Sequence, residues 1–488
     1  MEHRFKLKIM EIGNSNTGNN GLRRGFSTGS VSAAAIKASI RYYFKCKKFF
    51  QLEIKMPGGE NALIGIAELS KEDVYSHPLA GGVSRAAVIK DSGDDPDVTN
   101  GIKICADFMP LDDADGAVNM LLNEIDDIRG KQNQDNQGGQ GGLINEGKNT
   151  PILLDLYGKA SETILTRLPD GIKKYYGKLY IYNIIKHLGF SIILSSSSGI
   201  GIVKRQGLPV NPGFPAINPV PFKMIEWAVK EEISRRISGS AGINKLNGMS
   251  GSRVLLSILY VPGGDIVAKK TLNPRLGIEG GISILGTTGY VIPISTKAWL
   301  ETIKSSLAFL SGNKIDTCVY TPGRFSEKMA MKLFKDMPQE SFIEIGDYVS
   351  YSMRKAAGSG IKRVIFAGQF GKIVKISQGA RNTNARYGEL DLKYLGGLVK
   401  AALKEHVDII PGNAVNDLYE KIINSNTSRQ AYDHILSLHS VYSRLSDKIF
   451  YNILQAAKEN LIRMSREQVN IDIVLISYEG KMQASTSL

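Results

Sequence analysis

Between residues 224 and 238, apolar side chains recur at Ile225, Val229, Ile233 and Ile237, one every four positions. That spacing puts them on one face of a helix. Residues 31–44 are alanine-rich without an internal Gly or Pro, which also predicts a helix. Residues 52–56 and 63–69 flank Pro57, Gly58 and Gly59 and predict a hairpin, and 86–90 predicts a short strand. Residues 254–261 and 265–270 read as strands on either side of a Gly263–Gly264 turn, whereas 119–128 and 175–188 read as helical or mixed.

After about residue 295 the rhythm changes. Helix 297–310 leads to strand 315–320, then to a helix whose apolar face is Phe325, Met329 and Leu333. Strand 342–345, helix 348–357, strand 364–367 and a helix from 372 follow, then helical segments 392–405 and 417–464 and a last strand at 469–477. Such alternation predicts a mostly parallel, doubly wound sheet. The expected organisation is two-domain, α+β then α/β. A flexible tail covers 1–21, an N-terminal α+β domain 22–294, and an α/β domain with a helical tail 295–488. The low-complexity string QNQDNQGGQGG places a disordered loop at 131–142, inside an insertion at about 111–198.

Composition narrows the function classes. Hydrophobic residues are 42% of the 488, which excludes disorder as the dominant state. No apolar run approaches the ~18–20 residues that a spanning helix needs, and residues 1–12 lack the apolar core of a secretory signal. Cys46, Cys105 and Cys318 stand far apart with no CxxC pair, which fits a reducing cytoplasm. The six histidines show no HxH or HExxH spacing, so no protein-borne metal is expected. The 61 Lys and Arg exceed the 47 Asp and Glu, leaving +14. Solubility, nucleic acid or a polyanionic small molecule each accounts for that excess. No basic run is interleaved with stacking aromatics, and no RNP-like string is present.

Four places carry candidate chemistry. Three strands after residue 295 end in glycine loops that open helices, at Thr321–Gly323, Gly346–Asp347 and Gly368–Gly371. Ligands bind at the carboxyl ends of such strands, and an acid like Asp347 stands at the spacing that grips a ribose diol, or simply caps a helix. The GxGxxG string of a standard dinucleotide site is absent. Asp91, Asp94, Asp95 and Asp97 crowd one loop, where they either meet a cation or donors or form a solvated turn. Lys269, Lys270 and Arg275 beside the glycine array 277–289 suit carboxylates or phosphates, or form a basic surface hairpin. The GFSTGS string at 25–30 opens the alanine helix, as an anion site or as a cap by Ser27 or Thr28.

Taken together the strings resemble one family, the cobalt-precorrin-5B C(1)-methyltransferases (CbiD family) of anaerobic cobalamin biosynthesis. They are GFSTGS (25–30), VIKDSGDDPDVT (88–99), GIGIV (199–203) with GLPV (207–210), AINPVP (216–221), KTLNPRLG (270–277) running into GGISILGTTG (280–289), and GQFGKIVK (368–375). The resemblance implies an N-terminal ribosomal S5 domain 2-like α+β domain and a C-terminal Rossmann-like domain. It implies S-adenosylmethionine as methyl donor and an anionic cobalt-tetrapyrrole as acceptor, with no nucleic acid or membrane partner and with a homo-oligomer compatible. Carried onto this chain, Thr28, Lys204, Arg205, Asn218, Lys269, Lys270, Asn273 and Arg275 would bind the tetrapyrrole. Thr321, Gly323, Gly346, Asp347, Gly368 and Gly371 would hold the cofactor. Asp91, Asp94, Asp95 and Asp97 would act as acid/base or orienting groups. Val31 stands where the family usually shows Cys, Phe222 where Arg is expected, and Gln369 and Asn384 where His is usual. The +14 suits a ring bearing several carboxylates. A kinase-like phosphoryl transferase on an S5-like fold and a basic RNA-binding protein are the competing readings.

Overall fold

The computed structural model describes residues 21–72, 82–111, 113, 115–135, 150–168, 173, 176–237, 254–293, 295–404 and 410–486. The fold is mixed α/β and divides into two compact units, 1–295 and 296–488.

Unit 1 begins with β1 (Gly25–Phe26), α1 (Thr28–Lys45) and the hairpin β2 (Gln51–Lys55) and β3 (Asn61–Gly65). Its centre is a six-stranded sheet of β4 (Glu68–Glu72), β5 (Val83–Ile89), β6 (Lys103–Leu111), β7 (Tyr180–His187), β8 (Phe190–Ser196) and β11 (Val254–Tyr260), in the order β4-β5-β6-β11-β8-β7. Between β8 and β11 run β9 (Gly199–Ile200), β10 (Ile202–Val203) and helix α4 (Pro219–Ile237). Successive side chains on a strand face opposite ways. Ala86, Val88, Ile104, Ala106, Leu255 and Leu259 therefore pack on one side, with Ala34, Ile36 and Ile40 of α1 and Ile225, Val229 and Ile233 of α4. Helix α1 is apolar almost all round because α4, the sheet and the hairpin enclose it. Its buried Lys37 is satisfied by the Glu53 carbonyl and Glu231, both at 2.8 Å.

Ala87, Cys105, Met109, Leu256 and Ile258 face the other way, where Val118 and Leu122 of α2 (Ala117–Asp135) and Leu156 and Ile164 of α3 (Thr150–Arg167) cover them. The expected insertion at 111–198 is thus not an appendage. Its last two strands are β7 and β8, and β8 pairs in parallel with β11. Its helices cover the second face of a sheet whose central strand, β11, is buried at every position. Helix α2 runs to Asp135, so the first part of the expected loop 131–142 is helical; the rest lies outside the described residues, as does most of the tail 1–21. The strand predicted at 265–270 is also corrected. There α5 (Gly264–Ala268) forms a single turn, begun by Gly263 in the left-handed region at φ 72°, before β12 (Ile278–Glu279), β13 (Gly281–Ile282) and β14 (Tyr290–Val291).

Unit 2 opens with α6 (Thr296–Gly312) and then alternates β15 (Thr317–Thr321), α7 (Arg324–Leu333), β16 (Phe342–Glu344), α8 (Val349–Ala357), β17 (Arg363–Gln369) and α9 (Phe370–Ser377). Four helices follow, α10 (Leu392–Lys404), α11 (Gly412–Ile423), α12 (Ser428–Ser437) and α13 (His439–Met464), before β18 (Asn470–Ile476) and β19 (Met482–Ser485). The sheet order is β16-β15-β17-β18-β19. The first four strands are mutually parallel and β19 is antiparallel. The chain moves from β15 outward to β16, then back across to β17. The strand order therefore reverses between β15 and β17, and at such a switch point a crevice opens outside the strands' carboxyl ends.

Candidate functional site

In unit 1, strings far apart in sequence form one junction. Gly29 N–H donates to the Leu285 carbonyl (3.0 Å) and Ser27 N–H to Gly289 (2.9 Å). Asn218 N–H donates to Ile284 (2.9 Å), Ala216 to Gly201 (2.7 Å) and Gly201 to Ile282 (2.9 Å). Glycine makes this approach possible. A Cβ on Gly199 would lie 1.8 Å from the Val261 carbonyl oxygen, and one on Gly264 would lie 2.2 Å from that of Gly199. Gly25 likewise lies against Ser92, tying the acidic loop to the start of α1.

Several residues expected to face a ligand are committed inside this junction. Thr28 Oγ1 accepts from Leu285 N–H (2.8 Å) and is within donating distance of the Ser283 and Leu285 carbonyls. Ser27 caps α1 through Ser30 N–H (3.2 Å), so the chain itself occupies the donors at that terminus. Asn273 donates to the Gly281 carbonyl (2.9 Å) and accepts from Ser283 (3.0 Å), which braces the 271–283 segment. Asn218 is half-buried where α4 begins, and its carbonyl accepts from Phe222 N–H (3.0 Å). Phe222 itself meets Tyr182 edge-on, so an arginine at that position would have to leave this apolar contact.

The acidic loop is internally paired. Arg23 forks onto Asp91, and this hydrogen bond, above all, holds the Asp91 carboxyl below its usual range against the opposing effect of burial. Asp94 accepts from Arg23 N–H at 2.7 Å. Burial disfavours charge on Asp97, but the buried Lys90 ammonium at 2.6 Å and the Thr99 donors outweigh it and keep the carboxyl low. Asp94 is exposed and Asp95 half-exposed. Asp91, Asp94 and Asp97 thus shape the loop through these pairings, and Asp94 is the most exposed of its four aspartates.

The basic residues gather around the segment that follows α5. Lys204 N–H donates to the Gly277 carbonyl (2.8 Å), and the Arg205 side chain lies 2.9 Å from where a Gly277 Cβ would stand. Lys204, Lys269 and Lys270 are exposed, and Arg205 and Arg275 are half-buried. The Asn273 brace lies in the same segment as Lys269, Lys270 and Arg275.

In unit 2 the tips of β16, β15 and β17 stand side by side. Ile345 N–H donates to the Thr321 carbonyl (2.8 Å), and a Cβ on Gly368 would lie 3.4 Å from Pro322. Thr321 Oγ1 is buried without a hydrogen-bond partner among the described residues, and nothing described lies near a Cβ placed on Gly323. Asp347 follows β16. Its Oδ1 accepts from Lys372 Nζ and Thr383 Oγ1 (2.6 Å), and its Oδ2 accepts from Asn384 (3.1 Å). Burial opposes its charge, and Lys372 with the two neutral donors outweighs that and holds the carboxyl low. A carboxylate offers about four acceptor sites, so three of them are taken by donors among the described residues. Gly371 is tight against Ser428 and serves packing. A separate cleft of about 530 Å³ opens at the opposite ends of these strands, lined in part by Asp316, Met337, Ser341 and Arg363, and none of the candidate cofactor residues borders it.

Sequence reasoning passed over Lys372, Thr383 and Trp299. Lys372 lay within the GQFGKIVK string; Thr383 and Trp299 carry no local signal, since they reach the tips through the fold. The departures at Gln369 and Asn384 also fall here, Gln369 at the tip of β17 and Asn384 on the Asp347 carboxylate.

The CbiD family profile matches residues 15–123 and 178–293. A cobalt-precorrin-5B C(1)-methyltransferase of Picrophilus torridus is 30% identical over 460 residues, 94% of this chain and 99% of its own. Proteins of the same name from Geobacter metallireducens (31%, 77% of this chain and 79% of that one) and Priestia megaterium (35%, 66% and 80%) are also similar. A crystal structure of a cobalamin biosynthesis protein from Archaeoglobus fulgidus aligns over 75% of this chain and 83% of that one at 21% identity, with a TM-score of 0.28.

Proposed function

The chain belongs to the CbiD family, and from that premise we propose that it transfers a methyl group from S-adenosylmethionine to C-1 of cobalt-precorrin-5B, giving cobalt-precorrin-6A in cobalamin biosynthesis. The observation that carries this reading is the match to the Picrophilus torridus protein along nearly the whole length of both chains. It spans both compact units, so the comparison rests on no single motif.

Unit 2 takes the cofactor, and its residues suit that group. The tips at the switch point offer open space at Gly323 and the remaining acceptor of Asp347, above the buried Thr321 hydroxyl. We read this unit as Rossmann-like on its β16-β15-β17-β18 order, and unit 1 as the S5 domain 2-like α+β partner. S-adenosylmethionine supplies a methyl carbon made electrophilic by its sulfonium. The chain contributes position and field, and neither requires a side-chain nucleophile. Lys204, Arg205, Lys269, Lys270 and Arg275 neutralise carboxylates of the macrocycle and fix its orientation. Asp91, Asp94, Asp95 and Asp97 supply negative charge at their loop. Buried Cys105 and Cys318 suit a reducing compartment, and no helix among the described residues is long and apolar enough to cross a membrane.

A thermal-shift series tests the reading. A ligand that binds only the folded state raises stability by RT ln(1+[L]/Kd). S-adenosylhomocysteine is expected to raise the melting temperature, while ATP and RNA leave it unchanged. A response to ATP or RNA alone would favour the phosphoryl-transfer or RNA-binding reading instead.

A further inference from the structure

Trp299 is a large aromatic side chain that remains 40% exposed, on the first turn of α6. Its position is set by the strand tips. The indole Nε1, Cε2 and Cζ2 atoms lie 3.2–3.3 Å from where a Gly346 Cβ would stand, and Gly346 itself is in the left-handed region at φ 57°. Glycine is thus required there twice, by the backbone and by the ring. The helix carrying the ring is anchored to the same loop, since Thr296 Oγ1 and Tyr348 Oη are 3.0 Å apart and Tyr351 Oη reaches the Leu300 carbonyl at 3.4 Å. The indole therefore rests on the residue that precedes Asp347, with part of its surface open to solvent.

An exposed, pinned aromatic beside a carboxylate is a recognition element for a nucleoside. The acid takes a ribose hydroxyl and the ring takes the base, because a flat π surface pairs with another flat π surface in offset or tilted stacking. Building on the cofactor reading above, we propose that Trp299 is the platform on which the adenine of S-adenosylmethionine stacks. On this placement Trp299, Gly346 and Asp347, at the end of β16, would hold the adenosine end of the cofactor.

The chain has two tryptophans, which makes a direct readout possible. In Trp227→Phe, Trp299 is the sole reporter. Titration with S-adenosylhomocysteine is expected to change its emission saturably, with the Kd that calorimetry gives, and 5′-methylthioadenosine, which lacks the amino-acid arm, should change it in the same way. Free methionine should not. Trp299→Ala should raise the Kd about tenfold and Trp299→Phe, which keeps an aromatic face and the packing on Gly346, about two- to threefold. Calorimetric binding with unchanged Trp299 emission, or an unaltered Kd in Trp299→Ala, would overturn the stacking role and leave the cofactor reading standing. If the unaltered chain binds no S-adenosylhomocysteine, both fall together.

Discussion

Gly281 faces Gly199 across a contact that leaves no room for a side chain: a Cβ on Gly281 would stand 2.2 Å from the Gly199 carbonyl carbon. Gly281 has ordinary backbone angles, so space alone forbids a larger residue. Gly281→Ala should destabilise unit 1 by about 1–3 kcal/mol through overpacking. Its neighbour is the control. Gly280 is at φ 81° with nothing near its missing Cβ, so Gly280→Ala should cost about 1 kcal/mol from the left-handed backbone alone. Urea unfolding followed by circular dichroism separates the two; equal midpoints would show that the junction yields.

The acidic loop predicts an acid limb of stability. In the folded chain the Arg23 hydrogen bond holds the Asp91 carboxyl below the ordinary carboxylate range, and Lys90 with Thr99 does the same for Asp97 against the opposing effect of burial. The unfolded state therefore binds more protons in that range, and stability rises with pH there. Their contribution is complete above about pH 5 and disappears as pH falls through the lowered folded values. Asp97→Asn, which leaves the buried Lys90 without its counter-charge, should lower the melting temperature at pH 7 and flatten the drop between pH 5 and 3. An unchanged acid limb would remove Asp97 from this role.

Asp347 is held by Lys372, Thr383 and Asn384, and on the proposed function it also meets a ribose hydroxyl of the cofactor. Asp347→Ala should raise the Kd for S-adenosylhomocysteine at least about tenfold, the loss of one hydrogen bond to a charged group. Asp347→Asn should weaken it less. Isothermal titration at constant pH reads both, and unchanged affinity in the alanine variant would free Asp347 from the cofactor.

Lys269 and Lys270 are exposed beside the braced Asn273. Replacing both with Ala should weaken binding of a polycarboxylate tetrapyrrole about three- to tenfold at low salt, with a smaller difference at 0.5 M NaCl because exposed charges are screened. S-adenosylhomocysteine affinity should not move. A fluorescence titration with the tetrapyrrole at two ionic strengths tests this, and a loss independent of salt would point to folding rather than charge.

Local signals in the sequence carried far. The alanine helix with its Ser27 cap, the hairpin around Gly58 and Gly59, and the alternation after residue 295 are set by neighbours in sequence, and the structure has them. The failures share a cause in distant partners. Residues 265–270 read as a strand, yet Gly264 abuts Gly199 and the chain turns helically there. Tyr180–His187 is apolar on both faces because sheet and helices enclose it, and periodicity alone does not tell such a strand from a buried helix. In the candidate site, Thr28 and Asn273 hold backbone, and the donors on Asp347 come from 25 to 37 residues downstream. The sequence marked these loops but not that Thr28 and Asn273 are bonded to backbone within them.

The most direct test is transfer itself. Purified chain is incubated anaerobically with cobalt-precorrin-5B and S-adenosylmethionine carrying a ¹³C methyl group, and the tetrapyrrole product is examined by mass spectrometry and NMR. The account predicts one labelled methyl per macrocycle, attached at C-1, with S-adenosylhomocysteine formed in equal amount. Label that stays on the cofactor in a folded chain that binds both ligands, or that appears at a different ring carbon, would contradict it.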